Sequence, residues 1–173
     1  MNKIGLFYGP AGGSVEKVAN KILKILGKDK IDVIHVQNAD SSDFNNYKYI
    51  IMGISTIGAH TWNQDTPSKD WDWFVNELNK VDYSNKTFAL YGLGDHITYA
   101  RHFVDSLGIL GKELLGHGAK IIGHCDPADY EFIDSEAVID GQFIGLPLDE
   151  DFAHEETDAR LEKWLDIILK EFK

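Results

Sequence analysis

Short apolar runs alternate with amphipathic helical patterns along the chain, and this alternation constrains the fold more than any other feature. The run at residues 49–54 is nearly all apolar, which is typical of a parallel strand buried on both faces. Helical stripes of period 3.6 separate the runs. Strands are predicted at residues 4–8, 31–36, 49–54 and 87–91, and a fifth strand starts at residues 119–123. The pattern therefore predicts an α/β fold, a doubly wound five-stranded parallel sheet with helices on both faces.

The carboxyl ends of the strands are where such a sheet binds ligands, at the point where the strand order reverses. We therefore look for function in three loops, at residues 9–14, 55–65 and 92–99. The first loop is rich in glycine and leads into a helix, and both features suit an anion such as phosphate. It has neither the Walker lysine nor the Gly-x-Gly-x-x-Gly spacing. By spacing alone it is also compatible with a plain strand-to-helix turn.

Aromatic residues occur in the other two loops, Trp62 in the second and Tyr99 in the third. Two aromatic rings on neighbouring loops can enclose a flat ligand, and each stacked pair adds about 1 kcal/mol beyond burial. Taken alone, Trp62 could equally be a partly buried anchor of its loop. The pair predicts a planar ligand at this edge of the sheet.

Charge and cysteine content narrow the function classes. The net charge of −11, from 28 acidic and 17 basic residues, disfavours nucleic acid and an anionic membrane and favours a basic partner. Cys125 is the only cysteine, which excludes an internal disulfide and a cysteine-ligated zinc or iron–sulfur cluster. The apolar run at residues 4–8 is too short for a secretory signal, and no stretch is long enough for a membrane span. We expect a cytoplasmic protein.

Five segments together resemble the long-chain branch of the flavodoxin family, and the likeness covers nearly the whole chain. They are residues 4–9 (IGLFYG), 16–19 (EKVA), 90–95 (LYGLGD, followed by Tyr99 and Phe103), 106–110 (SLGIL) and 140–151 (DGQFIGLPLDED). The resemblance implies strand order 2-1-3-4-5 and one domain over residues 1–173. It also implies that residues 124–146 are the long-chain insertion in the fifth strand. By the same resemblance the cofactor is FMN and the protein is a monomer.

The resemblance also assigns the cofactor-binding residues. The isoalloxazine would stack on Tyr99 at its outer face, with His102 close by, and the loop after the fourth strand would contact its pyrimidine edge. Ser55 and Thr56 would open the second loop, on the inner side of the flavin. Trp62 would cover the inner face of the isoalloxazine, and Ile57 is the alternative residue for that face. The assigned residues are Gly9, Pro10, Ala11, Gly12, Gly13, Ser14, Val15, Ser55, Thr56, Trp62, Asn63, Gly92, Leu93, Gly94, Asp95, Tyr99, His102 and Asp151.

Two departures from the family pattern stand out. The phosphate loop of the family carries three hydroxyl residues, and this chain has Pro10, Gly12 and Val15 at those positions. Only Gly13 matches, and Ser14 offers one hydroxyl. Each lost charge-assisted hydrogen bond costs about 1.5–3 kcal/mol, so we expect weakened phosphate binding. The second departure is about five extra residues in the segment 57–62.

These observations predict an electron carrier, without a substrate of its own, that shuttles low-potential electrons through bound FMN. Its partners would be a reductase and an acceptor with basic docking faces. One alternative is a flavin-dependent reductase of a quinone or tetrapyrrole, with His60 or His96 as proton donor. Another is a binding module for a ligand such as haem that has lost the phosphate site.

Overall fold

The computed structural model describes residues 2–55 and 69–172. Its main sheet is parallel and has the order β2-β1-β3-β4-β5, so the predicted fold class and strand order are confirmed. The strands are β1 (Ile4–Tyr8), β2 (Ile31–His35), β3 (Tyr49–Ser55), β4 (Thr87–Leu93) and β5 (Lys120–Ile122). The helices are α1 (Ser14–Leu26), α2 (Lys69–Leu78), α3 (Asp105–Gly116) and α4 (Thr157–Glu171).

The outer neighbour of β4 is built from two separate pieces of chain. The first half of β4 pairs with β5, and its second half pairs in parallel with β8 (Leu146–Leu148). Residues 123–145 run outside the sheet between these two pieces. They contain the antiparallel pair β6 (Val138–Ile139) and β7 (Gln142–Phe143). The single-domain division of the chain stays a prediction.

Two apolar layers cover the sheet, one on each face, as the continuous apolar strands require. On one face α1 and α4 pack against β1, β3 and β4 through residues such as Ile22, Trp164 and Ile168. On the other face α2 and α3 supply Phe74, Leu107 and others. Among the residues that the structure describes, no helix combines the length and apolar character needed to cross a membrane.

Close packing fixes the middle of the sheet beside the predicted ligand edge. Tyr91 on β4 is fully buried, and its ring lies over Gly53 on β3. A Cβ at Gly53 would come within 2.1 Å of that ring, so only glycine fits. Tyr91 can therefore reach across the sheet and donate a hydrogen bond from its O–H to the carbonyl of Val15, at 2.9 Å.

Candidate functional site

The three predicted loops leave the same edge of the sheet. Strands β1, β3 and β4 are parallel neighbours, and they end at Tyr8, Ser55 and Leu93. Parallel strands present their carboxyl ends at one edge, so the segments that follow them lie side by side. The predicted residues Thr56, Trp62 and Asn63 lie outside the described residues, as do the alternative Ile57 and the loop histidine His60.

Buried aromatic residues hold the first loop from outside. The peptide bond between Gly9 and Pro10 is cis. The carbonyl of Gly9 accepts a hydrogen bond from the indole Nε1 of Trp71 on α2, at 2.8 Å. At the other end, the O–H of Tyr91 donates to the carbonyl of Val15. Both donors are buried, so the loop is held in shape without the hydroxyl side chains of the family pattern.

The first loop offers free amide groups to an anion. In the described part of the chain, the N–H groups of Gly13, Ser14 and Val15 donate to no protein acceptor. They stand at the N-terminus of α1, a helix of 13 residues, where the helix dipole favours negative charge. A Cβ at Gly12 or Gly13 would meet nothing within 4 Å. The arrangement fits a phosphate group.

A carboxylate already reaches into this loop. The N–H of Gly12, a residue with φ of +80°, donates to Oε2 of Glu16 at 2.5 Å. The other oxygen, Oε1, accepts the O–H of Tyr8 at 3.1 Å. The hydrogen bonds from Gly12 and Tyr8 hold the pKa of Glu16 below its ordinary value. We call these two bonds the Glu16 bridge.

The third loop is built around Asp95. Its carboxylate is buried and accepts the N–H groups of Ile97 and Thr98, at 2.9 and 2.7 Å, a turn typical of aspartate. The N–H of Tyr99 donates to the carbonyl of Asp95. This places Tyr99 with 40% of its surface exposed, as a ring that stacks on a ligand requires. His102 is exposed beside it and pairs with Asp105 at 2.9 Å.

Asp149 ties the third loop to the segment after β8. Its carboxylate accepts the N–H groups of Asp151 and Phe152, at 2.8 and 2.9 Å. It also accepts the N–H of His96, at 2.9 Å, and contacts His96 Nδ1 at 2.5 Å. Burial raises the pKa of Asp149, but these hydrogen bonds outweigh it and bring the pKa below its ordinary value.

The sequence analysis missed Asp149, Glu16 and Trp71 as site residues. Asp149 had a usable signal, because an aspartate directly after an apolar run commonly closes a turn with the two amides that follow. Glu16 occupies the third position of α1, where glutamate often binds back to preceding amides. Trp71 gave no such signal, since its bond to Gly9 joins residues 62 positions apart.

The predicted Asp151 lies in the same acidic group. It is exposed, and its pKa is raised by burial and by the charges of Asp149, Asp95 and Glu150. Asp95, Asp149 and Asp151 therefore lie near one another where the segments after β4 and β8 meet. Additional negative charge here is disfavoured.

The sequence model of the family described as Flavodoxin matches residues 6–164. The chain belongs to the flavodoxin family. This confirms the resemblance drawn from the sequence segments.

Individual flavodoxins are similar over their full length. The flavodoxin of Synechocystis sp. is 40% identical over 166 residues, which cover 95% of each chain. Flavodoxin 1 of Azotobacter vinelandii is 35% identical over 176 residues, covering 99% of this chain and 98% of its own. A crystal structure of Fusobacterium nucleatum flavodoxin bound to flavin mononucleotide has a TM-score of 0.87 at 25% identity and covers 100% of both chains.

Several of the assigned flavodoxin contacts lie on backbone rather than side chains. Gly92 and Leu93 are the last residues of β4, and both are buried. A Cβ at Gly94 would lie 2.9 Å from the amide nitrogen of Val104, so this glycine lets the loop pack against the start of α3. The N–H of Gly94 donates to the carbonyl of Leu148 at 2.9 Å. Ser55 pairs in register with Leu93 across the two strands.

Proposed function

We propose that the chain binds FMN at the carboxyl edge of the sheet and carries low-potential electrons between partner proteins. The observation that carries the proposal is the set of N–H groups at Gly13, Ser14 and Val15, which meet no acceptor within residues 2–55 and 69–172, beside the loop that exposes Tyr99. Membership of the flavodoxin family and the similarity to an FMN-bound flavodoxin support it. FMN, when bound, supplies the one-electron chemistry.

Two loops would bind different parts of FMN, the first loop the phosphate and the third loop the ring system. Residues 9–15 would hold the phosphate through backbone N–H groups and the dipole of α1. The turn at Gly92, Leu93, Gly94 and Asp95 would contact the pyrimidine edge through backbone, while Tyr99 covers the outer ring face with His102 nearby. Asp151 would lie near the ribityl chain.

The second loop would complete the site. Ser55 ends β3 at this edge, and we assign Thr56, Trp62 and Asn63 to the inner side of the flavin. Ile57 is the alternative for the inner ring face. A spectral comparison of Trp62→Ala with Ile57→Ala would separate the two, because only loss of the side chain that covers the inner ring face changes the flavin absorption band.

The acidic group at the edge sets the redox character. Asp151 is exposed near the charges of Asp95 and Asp149, and together they would surround a reduced ligand with negative charge. Like charges at short range disfavour such an anion, especially where burial lowers the dielectric. We therefore expect the reduced state to be a strong reductant, with a low potential.

An exposed apolar patch with an acidic border supports transient docking of partner proteins. Ile97, Tyr99 and Phe152 are 58%, 40% and 51% exposed. Beside them lies a cavity of about 310 Å³ whose lining includes Asp129, Glu131, Glu155 and Glu156. Such a surface would steer a basic reductase or acceptor by complementary charge and hold it weakly. We propose a monomer that works in the cytoplasm, to be checked by sedimentation and by cell fractionation.

His96 bears on the rival functions. Its Nδ1 contacts the Asp149 carboxylate, and the side chain is 20% exposed. The pair holds two loops together, so His96 has a structural role that needs neither a tetrapyrrole nor a quinone substrate. The family comparisons favour the electron carrier over both rivals.

The experiment is a visible and fluorescence titration of purified protein, freed of ligand, with FMN, riboflavin and haemin. We expect quenching of FMN fluorescence at one equivalent and no specific haem spectrum. A sharp haem Soret shift that disappears in His96→Ala, together with no FMN quenching, would contradict the proposal. Reduction by a flavodoxin reductase without turnover of added quinone would separate the carrier from a reductase.

A further inference from the structure

The amides of the first loop are not all available to a phosphate. Among the described residues, the N–H groups of Gly13, Ser14 and Val15 have no protein acceptor, whereas the N–H of Gly12 donates to the carboxylate of Glu16. That carboxylate is itself an anion at the N-terminus of α1, where the helix dipole favours negative charge. Like a phosphate at this place, the carboxylate is negatively charged and accepts a backbone N–H of the loop.

The contact differs from ordinary helix capping. Glutamate at the third position of a helix commonly binds the N–H of the N-cap residue. The N-cap residue of α1 is Gly13, whose N–H is free in the described structure, and Glu16 binds Gly12 instead. Glu16 therefore bonds one residue farther out, within the loop proposed to bind phosphate.

A second group holds the carboxylate in place. The O–H of Tyr8, at the end of β1, donates to Oε1 of Glu16 at 3.1 Å. Tyr8 is buried and its ring lies 5.4 Å from that of His35, the register partner of Tyr8 on β2. Tyr8 thus binds Glu16 from the sheet through the carboxylate oxygen that Gly12 does not use.

We propose that Glu16 is an intramolecular competitor of the phosphate group and sets the preference of this chain between FMN and riboflavin. The inference rests on the proposed flavin site. A phosphate that uses the amides of residues 12–15 must displace the Glu16 bridge and then lie beside its charge. Riboflavin has no phosphate and leaves the bridge intact.

The loop composition makes this competition matter. Within residues 9–15, Ser14 is the only residue with a side-chain hydroxyl. Pro10 also lacks an N–H. With fewer donors for the phosphate, one donor held by a carboxylate is a larger fraction of the total. The chain is therefore expected to discriminate weakly between FMN and its dephosphorylated form.

The test compares flavin affinities in Glu16→Gln, which keeps the shape and one oxygen acceptor but removes the charge. Fluorescence titrations of the ligand-free protein should show FMN binding about tenfold tighter than in the parent chain, because one like charge beside a phosphate of charge about −2 is gone. Riboflavin affinity should change less than about twofold. Thermal stabilisation by inorganic phosphate should also increase.

Two further variants separate displacement from a general field effect. Tyr8→Phe keeps every charge but frees Oε1 of Glu16, so FMN should bind about threefold tighter. A simple field effect predicts no change there. Glu162→Gln, exposed on α4, makes the same change in net charge and should leave both affinities unaltered.

An unchanged ratio of FMN to riboflavin affinity in Glu16→Gln would overturn the inference, as would an equal gain for both flavins. If the parent chain binds neither FMN nor riboflavin, the proposed function is instead refuted. In that case the response to inorganic phosphate still tests Glu16: no larger stabilisation in Glu16→Gln than in the parent chain overturns the competition.

Discussion

The loops at residues 9–14 and 92–99 stand at one edge of the same sheet but differ in what supports them. The later loop closes on its own Asp95 carboxylate, and Asp149 from the segment after β8 binds the N–H of His96. In the earlier loop, Glu16 on α1 binds the N–H of Gly12, while Trp71 on α2 and Tyr91 on β4 donate to the carbonyls of Gly9 and Val15. The described supports of the first loop therefore come from side chains outside residues 9–14.

The two loops also differ in how far along the sequence their supporting side chains lie. The segment 90–95 ends in Asp95, whose carboxylate stabilises the turn that it belongs to. Two supports of the first loop, Trp71 and Tyr91, lie 62 and 76 positions from the carbonyls that they bind. The following substitutions test this comparison.

The largest effect is expected for Asp149→Ala. It removes a charged acceptor and leaves the N–H groups of His96, Asp151 and Phe152 without their partner. We expect a loss of about 3 kcal/mol in the free energy of unfolding, measured by chemical denaturation.

The pH dependence of the same variant provides the control. The pKa of Asp149 is lower in the folded chain, so its stabilisation is present above the unfolded value of about 4 and is lost as pH falls through the folded pKa. The difference in the free energy of unfolding between the parent chain and Asp149→Ala should therefore shrink below about pH 4. A difference independent of pH would mean that packing, rather than the carboxylate, holds the loop.

Tyr99→Ala should weaken FMN binding by about tenfold to a hundredfold, since it removes a stacking ring and its buried area. Its effect on unfolding of the ligand-free chain should be small, because the side chain is 40% exposed. Fluorescence titration and denaturation together check both expectations. Phe152→Ala, also exposed, is the matched control and should leave FMN affinity unchanged.

Tyr91→Phe and Trp71→Phe should each lower the free energy of unfolding by about 1–2 kcal/mol, because a buried carbonyl of the first loop loses its donor. If the loop depends on these outside supports, FMN affinity should also fall, whereas riboflavin affinity should change less. Equal losses for both flavins would show that the supports shape the whole edge rather than the phosphate loop.

The smallest effect is expected for Asp151→Asn. Burial and the charges of Asp149, Asp95 and Glu150 raise the pKa of Asp151. A raised folded pKa means that the charged form is unfavourable, so its cost is present at neutral pH and is relieved as pH falls through that pKa. Because the residue is exposed, we expect a gain of only about 0.3 kcal/mol at pH 7 and none near pH 3. Thermal denaturation at the two pH values checks it.

The sequence by itself determined the sheet, its strand order by family likeness, and the family, all of which are confirmed. The alternation of fully apolar strands with amphipathic helices is a local pattern, so it can be read from neighbouring residues. The position of Tyr99 on the loop after β4 follows from the same local pattern, while the exposed place of its ring, 40% accessible, was implied by the family resemblance. The cofactor role assigned to it stays a prediction.

Only the tertiary structure decided which side chains support or oppose the candidate site. Trp71 meets Gly9 and Tyr91 meets Val15 across 62 and 76 positions of sequence. Glu16 is close to Gly12 in sequence, yet its second bond, to Tyr8, depends on how α1 packs on the end of β1. Such contacts are set by the packing of helices on the sheet, and no local periodicity encodes which distant carbonyl or amide a side chain will reach.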